Sequence, residues 1–538
     1  MSEYDYIIVG AGSAGAVLAN RLSADGRLSV LVLEAGGPDR SPWIHLPIGY
    51  GKIYYDARVN WKYTTEPVPG LGGKPSYWPR GRVLGGSSSI NAMVYVRGHP
   101  SDYDAWAREA PGWSWDDVAP LFRRMEDWSG EPDTRRGVGG PVPVRDISED
   151  VHPLCQRYLA AAGEIQIHHN PDYNAAEMAG ASLYQITTSG GRRASTARCY
   201  LNPALWRTNL VVETHAHVQR LLIASGRASG VLYRRKGKEQ TARARREVIL
   251  CGGAVNSPQI LQLSGIGPGA VLQRHGIEVI HDAAHVGRNL QDHLGADTLY
   301  RAKVPTLNQQ LGPWWGKVRA GLQYMFGQRG PLSLSLNQAG GFVRLCPGTG
   351  GPDTQLYFSP VSYTRAPPGT RPLMRPDPFP GFLLGFNPCK PTSRGWVEIR
   401  SPDPAEAPAI QPNYLDTEED RLLMREGLKL MRRIASARPL RDIIAAELQP
   451  GQEVQDETAL DAFIRDHAWT VFHPCATCRM GSDPEASVVD PRLRVHGVQG
   501  LRVADASIFP SIPTGNTNAP AIMVGERAAD LILEDARG

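Results

Sequence analysis

Tyr6-Ile7-Ile8-Val9 is a short apolar run rich in β-branched residues, and it predicts a buried strand. From Ala14 to Leu22 the apolar residues return at helical intervals, and Val30 to Leu33 forms a second strand-like run that stops on an acid, Glu34. Gly10, Gly12 and Gly15 stand at GxGxxG spacing between the first strand and the helix. This order predicts a βαβ unit built for a dinucleotide. Gly10 permits the tight turn, Gly12 lets backbone approach a pyrophosphate, and Gly15 lets the helix pack closely on the strand. The helix N-terminus faces the phosphate charge, and Glu34 is placed to accept hydrogen bonds from ribose hydroxyls. A glycine-rich turn in an unrelated α/β protein is the competing reading, and the motif does not separate NAD from FAD.

Further along, the pattern alternates between the two periods. Asp102 to Met125 reads as helical, anchored by Trp106, Trp113 and Trp115. Leu210 to Ala224 and Gly226 to Tyr233 alternate apolar and polar residues around a glycine turn, which predicts antiparallel strands. Glu247 to Cys251 is another buried strand and runs through Gly252-Gly253 into a helix at Gln259 to Leu263. Later elements are a helix at Trp314 to Phe326, strands at Gly340–Leu345 and Gly395–Arg400, and a charged amphipathic helix from Leu415 to Ile434. The chain closes with a strand, Leu501 to Asp505, that ends in an acid, and a helix from Ala519 to Leu533. Strand–glycine–helix junctions that recur far apart predict a discontinuous nucleotide domain interrupted by a second domain. Pro38 to Tyr63 is aromatic-rich and reads either as a flap over a pocket or as an anchored surface loop. The proline-rich, basic stretch 365–381 reads as a lid, a docking surface or a stiff connection.

Composition narrows the classes. A chain of 538 residues exceeds one simple core. Its net charge of +4 is small for that length and by itself calls for neither nucleic acid nor acidic lipid as a partner. Seven scattered cysteines fit reduced thiols better than a disulfide framework, and no apolar run is long enough to span a bilayer. The dinucleotide motif lies beside residue 1, so the expectation is a cytoplasmic protein without a leader, with peripheral contact at the inner membrane as a variant. His168-His169 lacks partner ligands at useful spacing, so no metal site is expected.

Two stretches near the C-terminus suit alcohol oxidation: Thr470 to Gly481, containing His473, and Gly515 to Pro520, containing Asn518. Hydride leaves an alcohol carbon once the hydroxyl proton is lost. A neutral imidazole can take that proton near pH 7, and an amide can hydrogen-bond the oxygen as charge develops. On residue type alone, a histidine such as His473 is more often a satisfied structural residue than a base.

Six segments bring a family into view: GAGSAG with Glu34, GRVLGGSSSIN at 81–91, GAVNSPQILQLSGIG at 253–267, VGRNLQDH at 286–293, HPCATCRMG at 473–481 and GNTNAPAIMVGERAA at 515–529. In this order they resemble the glucose–methanol–choline (GMC) flavin oxidoreductases along essentially the whole chain, most closely the choline dehydrogenase-like and alkanol dehydrogenase members. The resemblance implies an α/β fold, with a Rossmann-like FAD-binding domain at 1–155, 196–298 and 462–538. It also implies an antiparallel-sheet substrate domain at 156–195 and 299–461. It makes FAD the cofactor, His473 the general base and Asn518 its partner on the substrate oxygen. The positions it implies for FAD contact are Gly10, Gly12, Ser13, Ala14, Gly15, Glu34 and Ala35 in the first unit. Trp61, Arg80, Val83, Gly86, Ser87, Asn91, Ala92 and Val94 follow, then Val218, Asp505, Ala506 and Thr517. Gln338, Val471 and Phe472 are implied for the substrate pocket.

Three departures refine that expectation. Ile90 stands where some members attach flavin through a histidine, so FAD is expected to be non-covalent. Gln338 replaces the glutamate that pairs with a trimethylammonium group, which favours an uncharged aliphatic or benzylic primary alcohol over choline. Cys475 and Cys478 form a CxxC with no second pair to complete a metal site, so a redox or zinc role is not expected. The implied partners are a small-molecule alcohol and an electron acceptor: a quinone, another carrier or oxygen. A flavin-containing hydroxynitrile lyase and a fatty-acid photodecarboxylase are the rivals within the same fold.

Overall fold

The computed structural model describes residues 2–346, 350–363 and 375–537; positions 365–374 of the proline-rich stretch fall outside them. The first sheet grows from the opening βαβ unit: strand β1 (Ser2–Val9), helix α1 (Ser13–Leu22) and strand β2 (Val30–Glu34). Strand β2 is buried throughout, and β1 is buried over Tyr6–Val9; α1 packs on both strands, and the C-terminal helix Asn518–Asp535 packs in turn on α1. Leu210–Thr214, β2, β1 and Lys238–Leu250 lie side by side and parallel, and Leu501–Val503 joins parallel to the last of these. The long strand Lys238–Leu250 then continues the sheet through an antiparallel meander with Arg227–Arg235 and Ala216–Ala224.

Register decides where the chemistry collects. Leu33, Val9, Leu250 and Val503 stand in one row across the sheet. The residues that follow them, Glu34, Gly10, Cys251-Gly252 and Asp505, therefore emerge along one edge, the carboxyl end of the parallel strands, where ligands of open α/β sheets bind. The helix after the second glycine junction begins at Gly253 and runs to Leu263, several residues earlier than its apolar period suggests. The helical stretch 102–125 is two helices, Pro100–Glu109 and Trp115–Met125, parted by a turn in which Gly112 takes φ +90°.

The second sheet is antiparallel: Ile444–Gln449, Leu294–Ala302, Gly381–Pro388, Thr354–Ser359, Ala339–Val343 and Gly180–Leu183, in that order. The helix Glu418–Ser436 seals one face. Its Leu428 and Met431 are fully buried, and Gly427 lies so close to the Phe386 ring that a Cβ there would come within 2.0 Å of it.

Candidate active site

One cavity opens along the carboxyl edge of the first sheet, with wall residues running from the glycine loop and Glu34 to His473. At the glycine end, α1 starts without a side-chain cap on Gly12, so its leading N–H groups are available to an anion. Gly86 presses against this loop: a Cβ on it would sit 2.7 Å from Gly12 Cα. A Cβ on Gly12 itself would meet nothing nearer than 4.0 Å, so any side chain there would project into the cradle that a pyrophosphate requires. Glu34 is buried in the wall and accepts from Ala11 N at 2.9 Å and Gly36 N at 2.8 Å. Burial pushes its carboxyl up to about 6 against the pull of those two amides. Asp505 likewise accepts from Gly253 N at 2.8 Å and Ser257 Oγ at 2.6 Å. The residues present thus fit a dinucleotide: small backbone near the phosphates, and two buried carboxylates with lone pairs to spare.

Most of the expected positions meet here. Gly10, Gly12, Ser13, Ala14, Glu34 and Ala35 line the cavity, as do Trp61, Arg80, Gly86, Ser87, Asn91, Ala92 and Val94. Val218, Val471, Phe472, His473, Asp505, Ala506, Thr517 and Asn518 complete this set. Gly15 and Val83 are not in the wall. Gly15 has the packing role its spacing suggests, since a Cβ there would lie 2.0 Å from Gly10 O. Val83 is fully buried in the apolar cluster around Tyr50 and Ile53.

Gln338 is a larger correction. It is 1 % exposed and lies outside the cavity, and its Oε1 accepts from His152 N at 2.7 Å. Its side chain points to the loop before helix Leu154–Glu164, so its neutral amide says nothing about the substrate's charge. Gln338→Glu is expected to lower stability by roughly 1–3 kcal/mol, because it buries a carboxylate without a cation. The ratio of kcat/KM for choline to that for an uncharged alcohol should stay as in wild type. A clear gain toward choline would return this residue to the pocket.

At the other end, His473 owes its placement to a distortion between two chain segments. Leu294 pairs with Thr470, and Gln291 bridges Cys475, so three steps along one segment face five along the other. The surplus bulges at Phe472-His473, where Phe472 takes φ +69°, an unfavourable conformation for an aromatic residue. Anchors on all sides hold it. Phe472 O accepts from Arg80 Nη2 at 2.7 Å, Phe472 N donates to Thr470 Oγ1 at 2.8 Å, and His473 N donates to Asp292 Oδ1 at 2.7 Å. Asp292 is buried, which pushes its carboxyl up to about 6, and it also accepts from the Thr470 and Tyr414 hydroxyls.

A chain of hydrogen bonds sets the tautomer of His473. Burial holds His293 down at about 4, and burial, His293 and Arg80 together hold His473 well below 6.5, so both rings are neutral. His293 Nε2 lies 3.1 Å from Cys389 O, which can only accept, so this nitrogen carries the proton. His293 Nδ1 therefore accepts from His473 Nδ1 at 3.0 Å. That leaves the lone pair of His473 on Nε2, the atom 3.0 Å from Asn516 Nδ2. Asn516 Oδ1 in turn accepts from Gln355 Nε2 at 3.0 Å, which keeps its amide nitrogen toward His473.

The amide beside the histidine is thus Asn516 and not Asn518. Asn518 is the first residue of the C-terminal helix, and its Oδ1 accepts from Ser13 Oγ at 2.8 Å, which ties that helix to the glycine loop. The two asparagines are separated by one residue at a helix start, where the backbone changes direction and sends their side chains to different neighbours. Sequence reasoning also missed His293, Arg193 and Gln355. His293 closes the segment VGRNLQDH, and the adjacent acid–imidazole pair was the available signal. Arg193 is fully buried and donates to Asn91 Oδ1 at 2.7 Å, fixing a wall residue from a variable region with no motif of its own. Cys475 and Cys478 are fully buried with thiols pushed well up by burial, the opposite of a reactive pair.

Comparison with known proteins agrees with this architecture. Family profiles described as GMC oxidoreductase match residues 4–295 and 391–525. An oxygen-dependent choline dehydrogenase of Photobacterium profundum is 42% identical, over 99% of this chain and 93% of that protein. An alcohol dehydrogenase [acceptor] of Pseudomonas putida is 41% identical, over 98% and 96%. A formate oxidase variant of Aspergillus oryzae RIB40, studied for FAD modification, superposes with TM-score 0.91 at 28% identity, covering 100% of this chain and 99% of that one. The dinucleotide cradle, the buried histidine and these matches place the chain in the GMC oxidoreductase family, whose members are enzymes that bind FAD.

Proposed function

We propose that this enzyme oxidises an uncharged primary alcohol, aliphatic or benzylic, to the aldehyde, with His473 as general base and Asn516 as the amide that holds the alcohol oxygen. The observation that carries this reading is the unprotonated Nε2 of a neutral, buried imidazole that lines the cavity beside an oriented amide. FAD, held without a covalent link, would supply the two-electron acceptor that this oxidation needs. Glu34, Asp505 and the Gly10–Gly15 loop would hold its nucleotide half. Ile90, a hydrocarbon in the wall, offers no atom for a covalent bond.

The chain's own groups then divide the work. His473 Nε2 accepts the hydroxyl proton. His293 keeps that nitrogen free by occupying Nδ1, and Asn516 Nδ2 donates to the oxygen as it gains charge. The apolar and aromatic part of the wall comprises Tyr54, Ile90, Met93, Val94, Val471 and Phe472, with the Tyr54 ring against Phe472. Among the described residues, the only carboxylates in the cavity wall are Glu34 and Asp505, both engaged by backbone amides. Asp292 binds His473 N from behind the wall and does not line the cavity, so with no acid in the wall at this end an uncharged alcohol suits the pocket better than a quaternary ammonium. The electrons are assigned to a carrier such as a quinone, in the manner of a dehydrogenase; oxygen is the alternative acceptor.

Anaerobic spectra of the FAD-loaded protein test this. Aliphatic or benzylic primary alcohols are expected to bleach the flavin, and choline to do so poorly. If no alcohol bleaches it, a lyase or photodecarboxylase reading takes over. The pH profile gives a separate check. Because the base titrates well below 6.5, kcat/KM should stay flat from neutral pH down past 6.5 and fall only in more acid solution, as His473 gains its proton. An acid limb centred at or above 6.5 would contradict a desolvated imidazole base.

A further inference from the structure

Helix Trp314–Gly327 buries only Gly316 and Ala320 against the rest of the molecule. Trp314 is 77% exposed and Phe326 84%, and Trp315, Val318, Leu322 and Met325 are exposed as well. At 3.6 residues per turn these side chains fall in an arc of roughly 120°, on the side opposite Gly316 and Ala320. Lys317 borders the arc on one flank and Arg319 on the other. Single exposed apolar residues are ordinary, but a continuous outward stripe with aromatics at both ends is not.

Charge supplies the second observation. No Asp or Glu occurs between Asp297 and Asp353, whereas that interval holds Arg301, Lys303, Lys317, Arg319, Arg329 and Arg344. At the helix's far end Tyr324 donates to Gly191 O at 3.0 Å, and Arg192 and Arg198 are near enough for their charges to act on its phenol. The helix has 14 residues, and no helix among the described residues is long and apolar enough to cross a membrane. Ala320 packs in the same apolar cluster as Tyr54 and Ile90 of the cavity wall.

We propose that this helix seats the protein on an anionic lipid surface. Its apolar arc enters the boundary between headgroups and acyl chains, and Lys317, Arg319 and the neighbouring arginines lie at phosphate level. The inference does not depend on which alcohol is oxidised.

The FAD-loaded full chain is incubated with vesicles of phosphatidylcholine and phosphatidylglycerol in equal parts, and with phosphatidylcholine alone. Wild type is expected to sediment with the anionic vesicles, with a blue shift of tryptophan emission, and to remain largely in solution with the neutral ones. The double variant W315S/F326S and the charge-reversal variant K317E/R319E should each bind at least tenfold more weakly. Both should keep wild-type alcohol turnover in vesicle-free buffer, which controls for folding. No sedimentation of wild type, equal binding to neutral vesicles, or unchanged binding by both variants would overturn the proposal. So would a lipid-free dimer that W315S/F326S breaks without any vesicle binding by wild type, since the stripe would then be an interface between copies.

Discussion

His473→Ala is expected to remain yellow and to lose its chemistry. FAD should stay bound, because the glycine loop, Glu34 and Asp505 are untouched. The rate of anaerobic flavin bleaching by alcohol should fall roughly 10²–10⁴-fold, the usual contribution of a positioned general base. The loop should survive the change, since its anchors are main-chain contacts: His473 N to Asp292, and Phe472 O to Arg80. The one buried group left without its partner is His293 Nδ1, at a cost of about 1–3 kcal/mol, which a denaturant midpoint would register. Bleaching at the wild-type rate would remove His473 from the reaction.

The two asparagines should separate cleanly. Asn516→Ala removes the donor facing His473 Nε2 and the substrate oxygen, so bleaching should slow by roughly 10²–10³-fold with FAD affinity nearly unchanged. Asn518→Ala breaks the contact to Ser13 at the head of α1. It should weaken FAD retention, read as flavin lost on dilution, while fully loaded enzyme bleaches at close to the normal rate. The assignment fails if Asn518→Ala is the variant whose loaded form loses rate. Rate and retention are independent readouts, so a general loss of stability would not imitate the pattern.

The first βαβ unit was readable because its cues are local. Strand, turn and helix occupy consecutive residues, and Gly15 answers a steric demand made five positions earlier by Gly10 O. Other readings depended on side-chain direction and went astray. Gln338 precedes strand Ala339–Val343, and its side chain turns to the helix Leu154–Glu164 side rather than to the cavity. Asn516 and Asn518 are chemically identical, so composition could not say which one meets the histidine.

What the chain's order of residues determined alone is the opening βαβ unit and the main strands and helices of the nucleotide-binding part, the dinucleotide cradle, and the kinds of group available for alcohol oxidation. Periodicity and backbone sterics act over short separations, and they need no partner from elsewhere in the chain. The tertiary structure decided which nitrogen of the buried imidazole keeps its lone pair. That choice passes from Cys389 O through His293 to His473 and Asn516, residues brought together from four separate segments of chain. Hydrogen-bond direction is a property of the assembled row, because each donor is set by the acceptor beyond it, and no single stretch contains enough of the row to fix its sense.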